Sequence, residues 1–314
     1  MMTPDSRIFV AGHTGLVGSA IVRRLRALKH EHLLLHSRHE LELRDQAAVR
    51  AFFERERPQF VFLAAAKVGG IQANATHPAE FIGDNLAIQT NVIDAAWRCG
   101  VKKLLFLGSS CIYPRDAPQP MREDCLLSGP LEPTNEWYAV AKIAGLKMAA
   151  AYRRQYGFNA IAAMPTNLYG PGDNFDLENS HVLAALIRKF HEAKLSGASE
   201  VVVWGTGTPR REFLHVDDLA DALVLLMQRY SDEAPINVGC GEDITIAGLA
   251  ALVGEIAGFG GKLVFDASKP DGAPRKLLDV SKLKALRWAP SIALKDGIAE
   301  TYRWYRQHGA AARR

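Results

Sequence analysis

The chain has 314 residues, 48% hydrophobic and 23% charged, the balance of an ordinary globular protein long enough to bury a core across two lobes. Its 38 Lys and Arg against 34 Asp and Glu leave a net charge of +4, too small for a nucleic-acid footprint but suited to a phosphorylated small substrate. No apolar run reaches membrane-spanning length, and no secretory signal or Cys-x-x-Cys or Cys/His metal spacing is present around Cys99, Cys111, Cys125 and Cys240. The expectation is therefore a cytoplasmic protein with free thiols and no metal, membrane or nucleic-acid partner.

Residues 7–11, Arg-Ile-Phe-Val-Ala, predict a short buried strand, and Ser19 to Leu28 carries apolar residues at helical spacing. Between them lies Gly12-His13-Thr14-Gly15-Leu16-Val17-Gly18. A strand, a glycine-rich turn and a helix make a dinucleotide cradle. The first Gly turns the chain, the second lets backbone approach the pyrophosphate, and the third lets the helix pack on the strand. A tight turn that only starts a helix is the plainer alternative. A second strand, Leu33 to His36, ends in Ser37-Arg38-His39-Glu40. An acidic residue there would hold the ribose of NAD, whereas Arg suits the extra phosphate of NADP; Arg38 is placed for that phosphate, and Glu40 lies too far along for the ribose.

Helical patterns at Gln46–Glu56 and Pro78–Cys99 alternate with strands at Phe60–Leu63 and Lys103–Leu107, the latter entering Leu107-Gly108-Ser109-Ser110-Cys111. A helix from Tyr138 to Tyr156 opens with Tyr138-Ala-Val-Ala-Lys142, and a strand at Asn159–Met164 runs into Pro165-Thr166-Asn167-Leu168. The alternation predicts an α/β fold, a Rossmann-type doubly wound parallel sheet with ligands at the carboxyl ends of its strands, the edge that carries both Gly12 and Ser109. Tyr138 and Lys142 share one helix face. A Lys beneath the phenol is expected to favour the phenolate and lower its pKa. With a Ser109 hydroxyl to bond a carbonyl oxygen, the trio suits proton transfer on an alcohol or ketone. The spacing alone equally fits a surface Lys beside a half-buried Tyr.

The second half is less regular, with a helix at His181–His191, a strand at Val201–Trp204, an amphipathic helix at Asp217–Arg229 and a strand at Ile236–Gly239. Two units are expected: residues 1–166 plus 211–240 as the dinucleotide-binding domain, and 167–210 plus 241–314 as a smaller C-terminal substrate-binding α/β lobe.

The glycine turn together with Ser109, Tyr138 and Lys142 resembles the extended short-chain dehydrogenase/reductase family, whose members act on nucleotide sugars. Longer stretches narrow the likeness: 64–71, 107–114, 131–136, 164–171, Asn179-Ser-His181, 211–218, Lys269-Pro-Asp-Gly272 and Pro274-Arg-Lys276. These are similar to the branch that converts GDP-4-keto-6-deoxy-D-mannose to GDP-L-fucose with NADPH, over Arg7 to about Trp304. The resemblance implies that Cys111 and His181 are base and acid of epimerisation at carbons 3 and 5, with Ser109, Tyr138 and Lys142 serving reduction at carbon 4. It implies that NADP(H) is held by residues 12–18, Arg38, 107–110, Lys142, 165–168 and His181. It gives the GDP end to Lys189, Trp204, Arg211, Asp271 and Lys276.

Some members carry an Arg where this chain has Thr14, which narrows the margin of NADP over NAD. Lys142 is expected to help lower the Cys111 thiol pKa, and His181 to titrate near 6.5. Trp204 reads equally as core or as a stacking plane. The helices at 78–99 and 138–156 either cover the sheet or form the four-helix interface of a homodimer. The competing readings are a nucleotide-sugar 4-epimerase or dehydratase that keeps its nicotinamide bound, and a redox-sensing binding module.

Overall fold

The computed structural model describes residues 1–177, 180–269 and 271–309. In the first half, short apolar runs become strands and amphipathic runs become helices: β1 (Ile8–Ala11), α1 (Leu16–Ala27), β2 (Leu33–Leu34), α2 (Gln46–Glu56), β3 (Phe60–Leu63), α3 (Ile71–Thr76), α4 (Pro78–Arg98), β4 (Lys103–Leu107), α5 (Glu136–Tyr156) and β5 (Ala160–Pro165). The second half adds β6 (Asn167–Tyr169), α6 (Val182–Ser196), β7 (Glu200–Trp204), β8 (Arg210–Arg211), β9 (Phe213–His215), α7 (Val216–Arg229) and β10 (Ile236–Val238). It closes with β11 (Ile244–Thr245), α8 (Ile246–Ala257), β12 (Lys262–Asp266), β13 (Arg275–Lys276), α9 (Ser281–Ala285) and α10 (Leu294–His308).

Every residue of β1, β3, β4 and β5 is buried, as strands covered on both faces must be. They form the middle of a six-stranded parallel sheet in the order β10-β5-β4-β3-β1-β2. Because successive strand residues point to opposite faces, Phe9, Val61 and Phe106 pack with Phe52, Val92 and Leu146 of α2, α4 and α5. Ile8, Val10 and Leu105 pack instead with Ile21, Leu25, Leu219 and Leu223 of α1 and α7. Strand order reverses between β1 and β3, and the crevice beyond their carboxyl ends is where such sheets bind ligands. A third apolar cluster joins Val201 and Val203 of β7 to Leu186, Phe190, Leu249 and Tyr302 of α6, α8 and α10. Strands β6 and β9 pair in parallel beside it, linking segments on either side of the expected unit boundary.

The doubly wound sheet follows the sequence reading; the ends of several elements do not. Strand β2 stops at Leu34, because a Ser37–Glu40 turn, closed by Ser37 N donating to Glu40 Oε2 at 2.7 Å, redirects the chain. Helix α1 begins already at Leu16, inside the glycine turn. Helix α6 runs on past His191 to Ser196 and ends on Gly197, whose φ of +66° is the left-handed geometry that glycine tolerates.

Candidate active site

At the carboxyl end of β1 the chain has space only for glycine. Gly12 has φ +86°, and a Cβ there would lie 2.8 Å from Ala65 backbone; one on Gly18 would lie 2.0 Å from Gly12 O. Helix α1 starts without a side-chain cap, so its first N–H groups are open toward an anion. This cradle fits a dinucleotide diphosphate. It forms one wall of a cleft of about 550 Å³ that also takes in Thr14, Leu16, Val17, Arg38, residues 107–110, Tyr138, Lys142, residues 165–168 and His181. His13 stands outside the lining, with its Nδ1 buried and unbonded.

At the far end, Arg38 is exposed and Arg38 Nε donates to Glu42 Oε2 at 3.1 Å. Arg44, which the sequence reading passed over, reaches both Glu42 and Asp84 and holds the Glu42 carboxyl down to about 2. Glu40 accepts from Ser37 N within its own turn and does not line the cleft. Asn85 of α4 was also missed. It is buried, accepts from Lys67 N and donates to Lys67 O, both at 3.0 Å, and so fixes the loop that walls the cleft. An Asn amid a helical pattern carries no signal of a partner 18 residues away.

Ser109 follows β4, and its hydroxyl oxygen accepts from Cys111 N at 3.4 Å to cap the short turn Ser110–Ile112. On α5, Tyr138 and Lys142 share a face as expected, with the Lys142 ammonium 5.7 Å from the Tyr138 ring centre. The ammonium, however, donates to Leu107 O at 2.8 Å. Burial, reinforced by Cys111, pushes the Tyr138 phenol above its ordinary range, which corrects the expected lowering. The ring is half-buried and packs edge-on against Phe81 at 6.4 Å, a partial desolvation that favours the neutral phenol. Burial also brings Lys142 down to about 8, opposed by Cys111.

Cys111 is 7% exposed. Burial raises its thiol pKa, opposed by a hydrogen bond with Ser109, then by Lys276 and only then by Lys142. Lys142 is thus not the main cation acting on the thiol. His181 sits at the N-terminus of α6 on the cleft wall, its side chain exposed there, and the protein crowded around it lowers its pKa from the expected 6.5 by partial desolvation. Asn179 of its motif lies outside the described residues, as does Pro270 of the 269–272 motif.

The GDP-end candidates do not line this cleft. Trp204 is 66% exposed, which decides against core. The Lys189 and Lys269 ammonium groups lie 5.3 and 5.6 Å from its ring centre. Lys189 is steadied by Val202 O at 3.2 Å. Asp271 is committed elsewhere: it accepts from Thr206 N at 3.0 Å and Thr206 Oγ1 at 2.6 Å, clasping the Gly205–Thr208 loop rather than presenting a free carboxylate. Arg211 and Lys276 are register partners on β8 and β13. Lys269, now beside Trp204, was visible in the sequence only as part of a motif.

A glycine-gated helix terminus at the switch point of a parallel sheet, with Ser109, Tyr138 and Lys142 beyond the next strands, defines a nicotinamide-dependent oxidoreductase of the extended short-chain type. Residues 8–239 match the NAD dependent epimerase/dehydratase family, and the chain belongs to that family. It is 64% identical to "Probable GDP-L-fucose synthase 1" of Oryza sativa subsp. japonica, over 98% of this chain and 94% of that one. It is 55% identical to "GDP-L-fucose synthase" of Escherichia coli (strain K12), over 95% and 96% of the two chains. Among solved structures, a GDP-L-fucose synthetase from Naegleria fowleri bound to NADP superposes with a TM-score of 0.92 at 30% identity, covering 100% of this chain and 98% of that one.

Proposed function

We propose that the protein converts GDP-4-keto-6-deoxy-D-mannose to GDP-L-fucose by epimerisation at carbons 3 and 5 followed by NADPH-dependent reduction at carbon 4. One observation carries the reading: His181 lines the same cleft as Ser109, Tyr138 and Lys142, and Cys111, itself outside the lining, adjoins the lining residues Ser109 and Ser110, the two assigned as a second proton-transfer pair beside the trio. A 4-epimerase or dehydratase would need the trio but not the pair, and a sensor would need neither.

The 4-ketone acidifies the protons on carbons 3 and 5, since the carbanion left behind delocalises onto oxygen as an enolate. Cys111 as thiolate takes a proton from one face, and His181 as imidazolium returns one to the other. Ser109 and Tyr138 hold the enolate oxygen while its charge develops. Both acid–base groups then exchange protons with solvent before the second centre is inverted. In the last step Tyr138 gives its proton to the oxygen on carbon 4, and its raised pKa keeps that proton available. The residues at 12–18, Arg38, 107–110, Lys142 and 165–168 would hold NADP(H), which when bound supplies the hydride. Arg38 supports NADP over NAD, with Thr14 adding nothing.

We assign the cofactor to a unit of 1–166 plus 211–240 and the GDP-sugar to 167–210 plus 241–314, of which 310–314 lie outside the described residues; the separate third apolar cluster supports this division. The free cysteines suit a cytoplasmic setting. No helix among the described residues is long and apolar enough to cross a membrane. A homodimer through α4 and α5 is supported by Trp137, Val140 and Tyr156, which are 46%, 37% and 45% exposed along α5.

The test mixes protein, NADPH and the 4-keto sugar nucleotide in deuterated water. Expected are loss of reduced-nicotinamide absorbance and deuterium at carbons 3 and 5. Reduction with neither carbon labelled would sink the epimerase assignment.

A further inference from the structure

The loop between β2 and α2 closes one end of the cleft with a cluster of charge, and Arg38, Glu42, Arg44 and Asp84 all line it. Two guanidinium groups converge on one carboxylate there. Arg38 Nε donates to Glu42 Oε2 at 3.1 Å, and Arg44 Nη2 donates to the same oxygen at 2.9 Å. Arg44 Nε and Arg44 N both donate to Glu42 Oε1, each at 3.0 Å. The Glu42 carboxylate thus sits among N–H donors from two side chains and the backbone, the surroundings that a bound oxyanion takes. In a doubly wound sheet the segment after the second strand meets the adenosine ribose, and this cluster stands on that segment.

The cluster has an anchored part and a movable part. Arg44 gives its Nε–Nη2 edge to Glu42 and its remaining nitrogen, Nη1, to Asp84 Oδ1 at 3.0 Å. Asp84 belongs to α4, so this second carboxylate stands on a helix rather than on the loop. Glu42 lies on the loop and is 34% exposed, with Arg38 68% exposed beside it. An entering anion can therefore push the Glu42 side chain outward, while Asp84 keeps the Arg44 fork aimed at the place it leaves. A phosphate monoester carries about −1.5 to −2 charge near pH 7 on three acceptor oxygens, so it competes well against a single carboxylate for two guanidinium groups.

We propose that Arg44 and Arg38 together grip the 2′-phosphate of NADP(H), and that Glu42 is the internal anion which this phosphate displaces. The idea rests on the NADP reading proposed above and adds to it a second guanidinium and a counter-charge. NAD, with a hydroxyl in place of the phosphate, leaves the Glu42 pairs intact and gains nothing from Arg44. Glu42 lowers the affinity for NADP, because its pairs with both arginines are given up on binding. The choice between the two cofactors is then set by three side chains of one loop, with Asp84 as the positioning residue behind them.

The test is isothermal titration calorimetry with NADP⁺, NAD⁺ and adenosine 2′,5′-bisphosphate on wild type, Arg44→Met, Arg44→Lys and Glu42→Gln. Circular dichroism establishes that each variant is folded. Arg44→Met should weaken NADP⁺ and the bisphosphate by about tenfold, the loss of one charge-assisted fork, and NAD⁺ by less than about threefold. Arg44→Lys, a point charge without the fork, should recover only part of that loss. Glu42→Gln should tighten NADP⁺ and the bisphosphate by about threefold, since the pairs given up on binding are exposed ones, and leave NAD⁺ unmoved. Equal changes for NADP⁺ and NAD⁺ in Arg44→Met would make Arg44 a support of the loop and overturn the proposal. So would a Glu42→Gln protein whose NADP⁺ affinity fails to rise. A wild type that binds NAD⁺ but neither NADP⁺ nor the bisphosphate would reject the NADP reading itself, and this grip with it.

Discussion

Tyr138 is packed edge-on against Phe81, and burial holds its phenol well above the ordinary range, so its proton is available for donation across the neutral range. Replacing it with Phe removes the donor without touching Cys111 or His181. Tyr138→Phe should slow NADPH oxidation by about 10²–10⁴-fold while deuterium still enters at carbons 3 and 5, more slowly because one of the two enolate-oxygen donors is gone. Wild-type reduction in this variant would discharge Tyr138 from the role. Lys142 sets the alkaline side. It is cationic below its folded pKa of about 8 and neutral above, so the charge that orders the phenol and the enolate is present at pH 7 and lost as pH rises through 8. In kcat/KM the wild type should therefore fall above about pH 8, and Lys142→Arg, which stays charged, should move that limb upward. Tyr138, Lys142 and Ser109 were legible because their spacing and order encode the chemistry. The bond from Lys142 to Leu107 O was not, since it spans 35 residues and two elements. The burial that overrides the expected phenolate is likewise a property of packing, which no local pattern carries.

Among the elements, α7 has an unusual end. Lys103, on β4 and 5% exposed, donates from Nζ to Leu226 O at 3.0 Å and to Met227 O and Tyr230 O at 2.6 Å. A buried ammonium thus satisfies the last carbonyls of a helix on the other side of the sheet, where the dipole favours it. Lys103→Met keeps the length but leaves those carbonyls without a donor, and should cost about 1–3 kcal/mol in urea unfolding. A change below about 0.5 kcal/mol would show that water takes over the cap. The sequence displayed β4 and α7 separately but nothing that joined them. Long helices such as α4 and α5 were plain from periodicity. Strands β8, β11 and β13 have two residues each, too few for any alternation to register, and their pairing across more than 30 residues is set by the Asp243 ion pairs.

At the scale of the molecule, two apolar layers cover the sheet and a third cluster gathers residues of β7, α6, α8 and α10. The sheet was legible because fully buried strands alternate with helices over the first half. The packing around the third cluster was not, because its helices α6, α8 and α10 pack on one another across long stretches of sequence. What the monomer leaves open is the outer face of α5, where Trp137 and Val140 share one side. Val140→Lys should convert a dimer to a monomer in analytical ultracentrifugation with the far-ultraviolet spectrum unchanged; a monomeric wild type would remove the interface.

Trp204 holds most of its ring in water with two ammonium groups near it, so its light emission reports on whatever displaces them. A purine laid on that indole excludes water and quenches it. GDP titrated into the protein should dim the emission to saturation, and the same titration of Trp204→Phe should be flat. The molecule thereby carries its own gauge of nucleotide occupancy, readable with neither cofactor nor turnover.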